Sequence, residues 1–299
     1  MSIDWLDGAK AAAARPAERL RVLMTRKGVA TVGAHDGMSA VLAKQAGFAA
    51  LYLSGAALSA SMALPDLGLL TLEDVARRAR EIVRASALPL IVDCDTGFGE
   101  ALNVMRAVRE MEDAGVACIQ IEDQLLPKKC GHLDDKKLAT MEDMVAKVVA
   151  ARKAASNMVV CARTDAAAVS LDEAIARAKA YANAGAELIF VEALTSMDAI
   201  KRVRDEIKAP LLANMTEFGR TPQIPLDEWR RLGYEIVIYP VSSFRIASKA
   251  IKGFYASLKA RGDAVEHLPN MMTRAELYDT IGYYDYEALD SSIATTRLP

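Results

Sequence analysis

Hydrophobic and polar positions along the chain follow two rhythms in alternation. Short, nearly continuous apolar runs fall at 29–34, 49–54, 89–95, 117–123, 158–165, 188–193, 210–215 and 235–240. Between them lie longer stretches with apolar residues at helical spacing, so that strand and helix repeat roughly every 25–30 residues. The helical stretches open on capping residues, with Thr71 ahead of Leu72-Glu73-Asp74, Ser170 ahead of Leu171-Asp172-Glu173 and Ser196 ahead of Met197-Asp198-Ala199. Gly47, Gly115, Gly185 and Gly233 stand where helices end and the next strand is about to start. Apolar runs without alternation predict parallel strands covered on both faces. Eight βα units of this kind predict an α/β fold, a (β/α)8 TIM-type barrel, with a doubly wound open sheet as the alternative. The expected organisation is a single domain over 1–299, with an N-terminal helical segment (1–27), a barrel (28–262) and a C-terminal helical tail (263–299). The tail carries Tyr278, Tyr283, Tyr284 and Tyr286, so it is expected to pack on something, either its own barrel or a neighbouring subunit after exchange.

Composition narrows the function. A length of 299 residues suits one α/β barrel, and 37 basic against 39 acidic residues leave a formal net charge of −2. That balance argues against nucleic acid and acidic membranes as partners and for a small molecule. No apolar run reaches the roughly 18 residues of a membrane span. Asp4, Asp7 and Glu18 are unlike a signal or transit peptide, so the expected location is the cytoplasm. The four cysteines do not form a disulfide framework; Cys94, Cys118 and Cys161 lie in apolar runs and read as buried hydrophobes. Cys130 lies among polar residues and glycine instead.

In a parallel barrel the chemistry sits at the carboxyl ends of the strands. Here polar residues close nearly every run: Asp93 and Asp95, Glu122 and Asp123, Arg163 and Asp165, Glu192, then Asn214 and Thr216. Side chains alternate along a strand, so Asp93 and Asp95 are expected on one face and Cys94 on the other. With Glu122 from the next strand they make three acids at one mouth, an arrangement that repels itself unless a divalent cation neutralises it. Oxygen ligands favour Mg2+, with Mn2+ possible, waters and substrate completing the shell. The competing reading pairs an acid with Arg163. After Glu122, residues 124–140 are too polar for a strand and too rich in Pro, Gly and Asp for one helix, the composition of a lid. Within this loop Cys130 is flanked by Lys128 and Lys129 and followed by Gly131 and His132, a setting expected to ease loss of the thiol proton. The competing reading is a solvated loop. Gly97-Phe98-Gly99 lacks the third glycine of a dinucleotide fingerprint and reads as a pliable turn.

Several segments together resemble the isocitrate lyase/phosphoenolpyruvate mutase superfamily. They are Tyr52-Leu53-Ser54-Gly55, Leu64-Pro65-Asp66-Leu67-Gly68, Val92-Asp93-Cys94-Asp95-Thr96-Gly97-Phe98-Gly99, Lys128-Lys129-Cys130-Gly131-His132, Ala162-Arg163-Thr164-Asp165-Ala166, Ala213-Asn214-Met215-Thr216 and Thr273-Arg274-Ala275-Glu276. The cysteine loop is the specific part, and the short chain resembles the members that cleave methylisocitrate. The resemblance implies Mg2+-dependent retro-aldol cleavage of 2-methylisocitrate to pyruvate and succinate, in propionate catabolism through the methylcitrate cycle. It implies Cys130 as the acid that protonates the succinate carbanion, with His132 beside it and Tyr52 or a metal-linked water as base. It implies that the metal is held by Asp95, with Asp93 and Glu122 nearby. It further implies substrate contacts from Ser54, Gly55, Ala56, Gly131, Arg163, Glu192, Asn214, Met215, Thr216, Arg245 and Arg274, and a homotetramer. Val191 departs from the family's Phe-Pro-Glu-Ala segment, and Ala56 stands where some relatives have glycine. Lyases for 2,3-dimethylmalate or isocitrate are therefore alternatives, as is a catalytically silent metabolite-binding barrel.

Overall fold

The computed structural model describes Leu6, residues 15–133 and residues 135–293. Eight parallel strands close into a barrel in sequence order: β1 (Val29–Gly33), β2 (Ala50–Leu53), β3 (Leu90–Asp93), β4 (Cys118–Glu122), β5 (Val159–Thr164), β6 (Leu188–Val191), β7 (Leu211–Asn214) and β8 (Ile236–Tyr239). Closure is made by β1 against β8, with Val29 level with Ile236 and Val32 level with Tyr239. Every strand lies within one of the apolar runs that predicted it. The helices are α1 (Pro16–Met24), α2 (Gly37–Gln45), α3 (Gly55–Ser61), α4 (Leu72–Ser86), α5 (Ala101–Asp113), α6 (Met141–Ala154), α7 (Leu171–Asn183), α8 (Met197–Glu206), α9 (Leu226–Leu232), α10 (Ser242–Arg261), α11 (Arg274–Ile281) and α12 (Tyr283–Ile293). The expected caps are present: Thr71 and Asp74 cap each other reciprocally, Ser170 accepts from the Glu173 amide and Ser196 from the Ala199 amide. Gly233 ends α9 in the left-handed region at φ 83°, where a side chain would be strained.

The two faces of each strand build two cores. Outward residues such as Leu51, Val92, Ile119, Val160, Ile189 and Val237 pack under the helices. Inward residues Ile91, Cys118, Val159, Cys161, Leu188, Phe190, Leu212 and Ile236 fill the barrel. Helix α1 joins this inner cluster through Ala17, Leu20 and Met24, which plugs one end of the barrel with apolar side chains. The period-two pattern then carries each inward column upward into polar residues: Ile91 to Asp93, Cys118 to Gln120 and Glu122, Cys161 to Arg163, Phe190 to Glu192 and Leu212 to Asn214. The polar mouth is thus the next layer of the same core.

The chain divides into two compact units, Ala14–Phe244 and Met1–Ala13 with Arg245–Pro299. The barrel unit ends inside α10, whereas the sequence reading carried it to 262. In the second unit α11 and α12 meet through a tyrosine cluster, Tyr278 stacked on Tyr283 at 4.4 Å with Tyr284 edge-on to both. The expected tail residues 294–299 and the N-terminal residues 1–5 and 7–14 lie outside the described residues.

Candidate active site

The carboxyl ends of β3, β4 and β5 bring the expected acids and arginine together. Asp93 closes β3 on its inward face, and the chain turns immediately, Asp95 adopting φ 48°. Aspartate tolerates the left-handed region better than most residues, and here it keeps both carboxylates aimed at the start of α3. A Cβ on Gly55 would lie 3.3 Å from Asp93 Oδ2 and 3.4 Å from Asp95 Oδ1. Gly55 N donates to Asp93 Oδ2 at 3.3 Å, and Gln120 Nε2 to Asp93 Oδ1 at 3.3 Å. Cys94 faces the outer core, fully buried, as the alternation requires.

Glu122 behaves differently from the sequence expectation. Its carboxylate lies 3.2 Å from Arg163 Nη1, and neither oxygen has a hydrogen-bond partner. Among the described residues no three His, Cys, Asp or Glu side chains form a ready-made cation cage. Glu122 thus carries both readings: its carboxylate faces Arg163, and its oxygens keep no hydrogen-bond partner beside the converging pair Asp93 and Asp95. The residues still fit a hard divalent cation: two buried carboxylates converge, and Glu122 nearby has unsatisfied oxygens. Lys128 supplies the counter-charge in this structure, its Nζ 2.6 Å from Asp95 Oδ1 and also bonded to Asp66. Burial and the charge of Asp93 push Asp95 up to about 6 despite that lysine, as expected for two acids in one dry site.

Arg163 is the hub of the other half. Asp165 holds it with two bonds, Nε to Oδ2 at 2.9 Å and Nη2 to Oδ1 at 3.0 Å. Its remaining Nη1 faces Glu122 and, at 3.6 Å, Glu192. Asn214 Nδ2 donates to Glu192 Oε2 at 3.3 Å and lies 3.5 Å from His132 Nε2. Burial holds His132 below the ordinary histidine range, so its ring is neutral near pH 7. Its Nδ1 accepts from the Arg220 amide at 3.0 Å, which places the ring proton on Nε2, toward Glu192.

The cysteine loop is seated in this mouth. A Cβ on Gly131 would come within 2.4 Å of both Arg163 Nη2 and Glu192 Cγ, so the loop backbone lies against those side chains. Cys130 is half-buried, and burial pushes its thiol up; the His132 amide and Arg163 oppose that shift, while Glu192 and Asp66 add to it. This corrects the expectation that the flanking lysines ease proton loss. Lys128 turns away to Asp66 and Asp95, and desolvation dominates at the sulfur.

Tyr52 is buried and donates to Gln120 Oε1 at 3.1 Å, and burial together with Asp93 holds its phenol well above the usual range. It is a fixed donor here, not a group ready to take a proton. Ser54 caps α3 through the Ala57 amide, with Ala56 half-buried in the first turn. Thr216 is buried after β7. The Met215 side chain belongs to the outer core and its sulfur accepts from the Ile224 amide, so it meets the mouth only through its backbone. Arg245 and Arg274 belong to the second compact unit, at its start in α10 and at the first position of α11. Beside Asp95 a cavity of about 350 Å³ opens between Gly68, Leu70, Thr96, Phe98 and Arg106.

The phosphoenolpyruvate phosphomutase family model matches residues 20–259. The chain belongs to this family. A 2-methylisocitrate lyase of Bacillus subtilis (strain 168) is 51% identical over 99% of both chains. A crystal structure of 2,3-dimethylmalate lyase, a PEP mutase/isocitrate lyase superfamily member, superposes with a TM-score of 0.89 at 34% identity, covering 95% of this chain and 97% of that one. A phosphonopyruvate hydrolase complex with oxalate and Mg2+ superposes with a TM-score of 0.85 at 30% identity, covering 93% of this chain and 99% of that one.

Within this family member, sequence reasoning named Asp123 and Asp165 only as polar residues closing their runs, and missed that they hold the site from behind. Asp165 shares a face with Arg163 by its spacing of two, a signal that was available. Asp123 points the other way, accepting from Tyr181 Oη at 2.8 Å, from Arg177 at 3.2 Å and from the Asp165 amide at 3.0 Å. Arg177 and Tyr181 lie four apart on α7, and nothing local to that helix reveals their partner. Gln120, between Tyr52 and Asp93, could have been found as an inward polar residue one step below Glu122.

Proposed function

We propose that this chain is a Mg2+-dependent carbon–carbon lyase that cleaves 2-methylisocitrate to pyruvate and succinate, with Cys130 protonating the succinate carbanion. The observation that carries the reading is the cysteine loop packed against Arg163 and Glu192, beside the converging Asp93 and Asp95. A bound Mg2+ would neutralise negative charge on the hydroxyl and carboxylate oxygens of the substrate. Asp93 and Asp95 are the residues to hold it, with Glu122 assisting. Arg163, held along one edge by Asp165 and facing Glu122 and Glu192 with Nη1, would pair a substrate carboxylate on this reading, and Asn214, Thr216, Ser54, Gly55 and Ala56 are assigned further contacts by the resemblance. The half-buried thiol, pushed up by desolvation, keeps its proton at neutral pH, which is the state a proton donor needs when the carbon–carbon bond breaks. Tyr52 is committed as a donor to Gln120, so of the two bases that the resemblance implies, a water beside the cation site would be the one left to take the hydroxyl proton. Arg245 and Arg274 are assigned substrate contacts on the resemblance alone.

The relatives' names favour methylisocitrate, and a place in propionate catabolism through the methylcitrate cycle follows from that substrate. The charge balance and the absence of a long apolar helix among the described residues support a cytoplasmic location. A homotetramer is the assembly this reading carries. The 2,3-dimethylmalate alternative draws on the superposed lyase and on Val191. However, Val191 packs in the outer core, so that departure reaches the mouth only through the backbone. A keto-acid assay on 2-methylisocitrate, 2,3-dimethylmalate and isocitrate, with and without EDTA, tests the proposal. Fastest turnover on 2-methylisocitrate and its loss in EDTA are expected; a faster rival acid overturns the substrate, and turnover surviving EDTA overturns the metal.

A further inference from the structure

The loop over residues 124–140 is closed at its base by backbone contacts: Gln124 pairs with Leu138, Leu125 N donates to Lys137 O at 2.7 Å and Ala139 N to Asp123 O at 2.9 Å. Its working segment, Cys130 to His132, is held by two lysines that reach to opposite sides of the mouth. Lys128 goes to the acid side. Lys136 goes to the arginine side, its Nζ 2.7 Å from Asp165 Oδ1 and also donating to the carbonyl oxygen of Gly131. The Lys136 side chain is only 3% exposed and that of Asp165 is 0% exposed. A lysine on a surface loop ordinarily keeps its ammonium in water, because burying it is costly unless partners replace that water. Asp165 does not need this partner, since Arg163 already gives it two hydrogen bonds. The burial therefore makes sense for the loop: one ammonium joins the peptide next to the thiol to the carboxylate that orients Arg163.

We infer that Lys136 is a positioning residue, which sets the Cys130 thiol against the Arg163–Glu192 corner by holding the Gly131 carbonyl and Asp165 together. This rests on the proposed role of Cys130. Lys136 touches neither thiol nor substrate; it acts through Gly131 on one side and through Asp165 on the other. Removing it takes away the tie at Gly131, while the base contacts, the two bonds between Gln124 and the Lys129 backbone, and the Arg220 amide on His132 remain.

The test compares Lys136→Met, Lys136→Arg and the unaltered chain, with Mg2+ and no substrate, by the rate at which iodoacetamide alkylates Cys130. Cys94, Cys118 and Cys161 are fully buried, so the label reports Cys130. Losing a nearby cation would by itself disfavour the thiolate and slow alkylation, so a faster rate reports release of the loop. Lys136→Met is expected to raise that rate about fivefold or more and to lower kcat about 100-fold, the scale of a misplaced reacting group, with KM changed less than threefold. Lys136→Arg is expected to restore most of both. If Lys136→Met does not fold, Lys136→Gln, which keeps a donor but no charge, is measured in its place. An unchanged alkylation rate, or a raised rate with kcat intact, overturns the inference. Cys130→Ser is measured in parallel: full turnover in that variant sinks the proton-donor reading itself, whereas the alkylation result stands independently of turnover.

Discussion

At Gly131 one hydrogen atom decides whether the loop can seat. A methyl group there would overlap Arg163 and Glu192 at 2.4 Å, contacts that buried, doubly held side chains cannot yield easily. Gly131→Ala is expected to lower kcat at least 100-fold by lifting the thiol off its place. The thermal midpoint should stay within a few degrees, because the clash is relieved by opening a loop and not by opening the barrel. A wild-type kcat in the alanine variant would show that the seated loop is not the working one. The acid pair gives a second prediction at this scale. Asp95 is pushed up to about 6 by burial and by Asp93, so its carboxylate gains a proton as pH falls through that value and loses its use as a ligand. Mg2+ affinity measured by calorimetry is expected to weaken about tenfold between pH 7.5 and pH 5. Affinity that is flat over this range would remove Asp95 from the metal site. The types of these residues were legible from the sequence, but their electrostatics were not. Two lysines beside a cysteine suggest a thiol of lowered pKa, yet the direction in which Lys128 points, and how deeply the sulfur is buried, are set by residues far away in the chain.

Among the elements, the strands were legible because nearly all of their residues, β1 excepted, are buried on both faces and leave apolar runs in the sequence. Their polar ends were legible for the same reason, since alternation places Asp93, Arg163, Glu192 and Asn214 on the inward face one step above the apolar interior, and Glu122 one step above Gln120. Beyond the strand ends, alternation no longer supplies the reason. Asp95 keeps company with Asp93 through a left-handed turn, not through strand geometry. The network from α7 through Asp123 to Asp165 depends on tertiary contacts that no local pattern encodes. Helix α1 illustrates a role invisible to periodicity. Its amphipathic pattern predicts a buried face, but the face fills the barrel itself, with Leu20 fully buried in the inner cluster. Leu20→Ala is expected to cost about 2–5 kcal/mol of stability in urea unfolding, the range for a large-to-small change that leaves a cavity. Because the cavity forms at the end away from the polar mouth, KM and kcat should change less than twofold. A large kinetic defect with intact stability would contradict that separation.

For the whole molecule, the second compact unit presents a different balance from the barrel. Helix α10 has no buried residue among those described, and Ile246, Ile251 and Tyr255 stand exposed along it. On α11 only Thr280 is buried, and α12 leaves Tyr284 and Ile293 open. Isolated exposed apolar residues are ordinary, whereas helices that expose this many along successive turns are the kind of surface that the proposed assembly would cover. The sequence carried that message in its tyrosines, and left open whether the covering partner is this chain's own barrel or another copy. The homotetramer proposed above supplies another copy, in keeping with the closed symmetry usual for soluble assemblies. Light scattering on the purified chain is expected to give the mass of four 32.3 kDa protomers. Ile246→Glu places a charge in the middle of the apolar stretch of α10, which is 72% exposed at that residue in the single chain and so can accept glutamate without loss of fold. If the surface is an interface, the buried charge lacks a partner, and the variant should shift toward smaller species at micromolar concentration with its circular dichroism unchanged. A variant that keeps the full assembled mass would leave this surface outside the contacts that hold the subunits together.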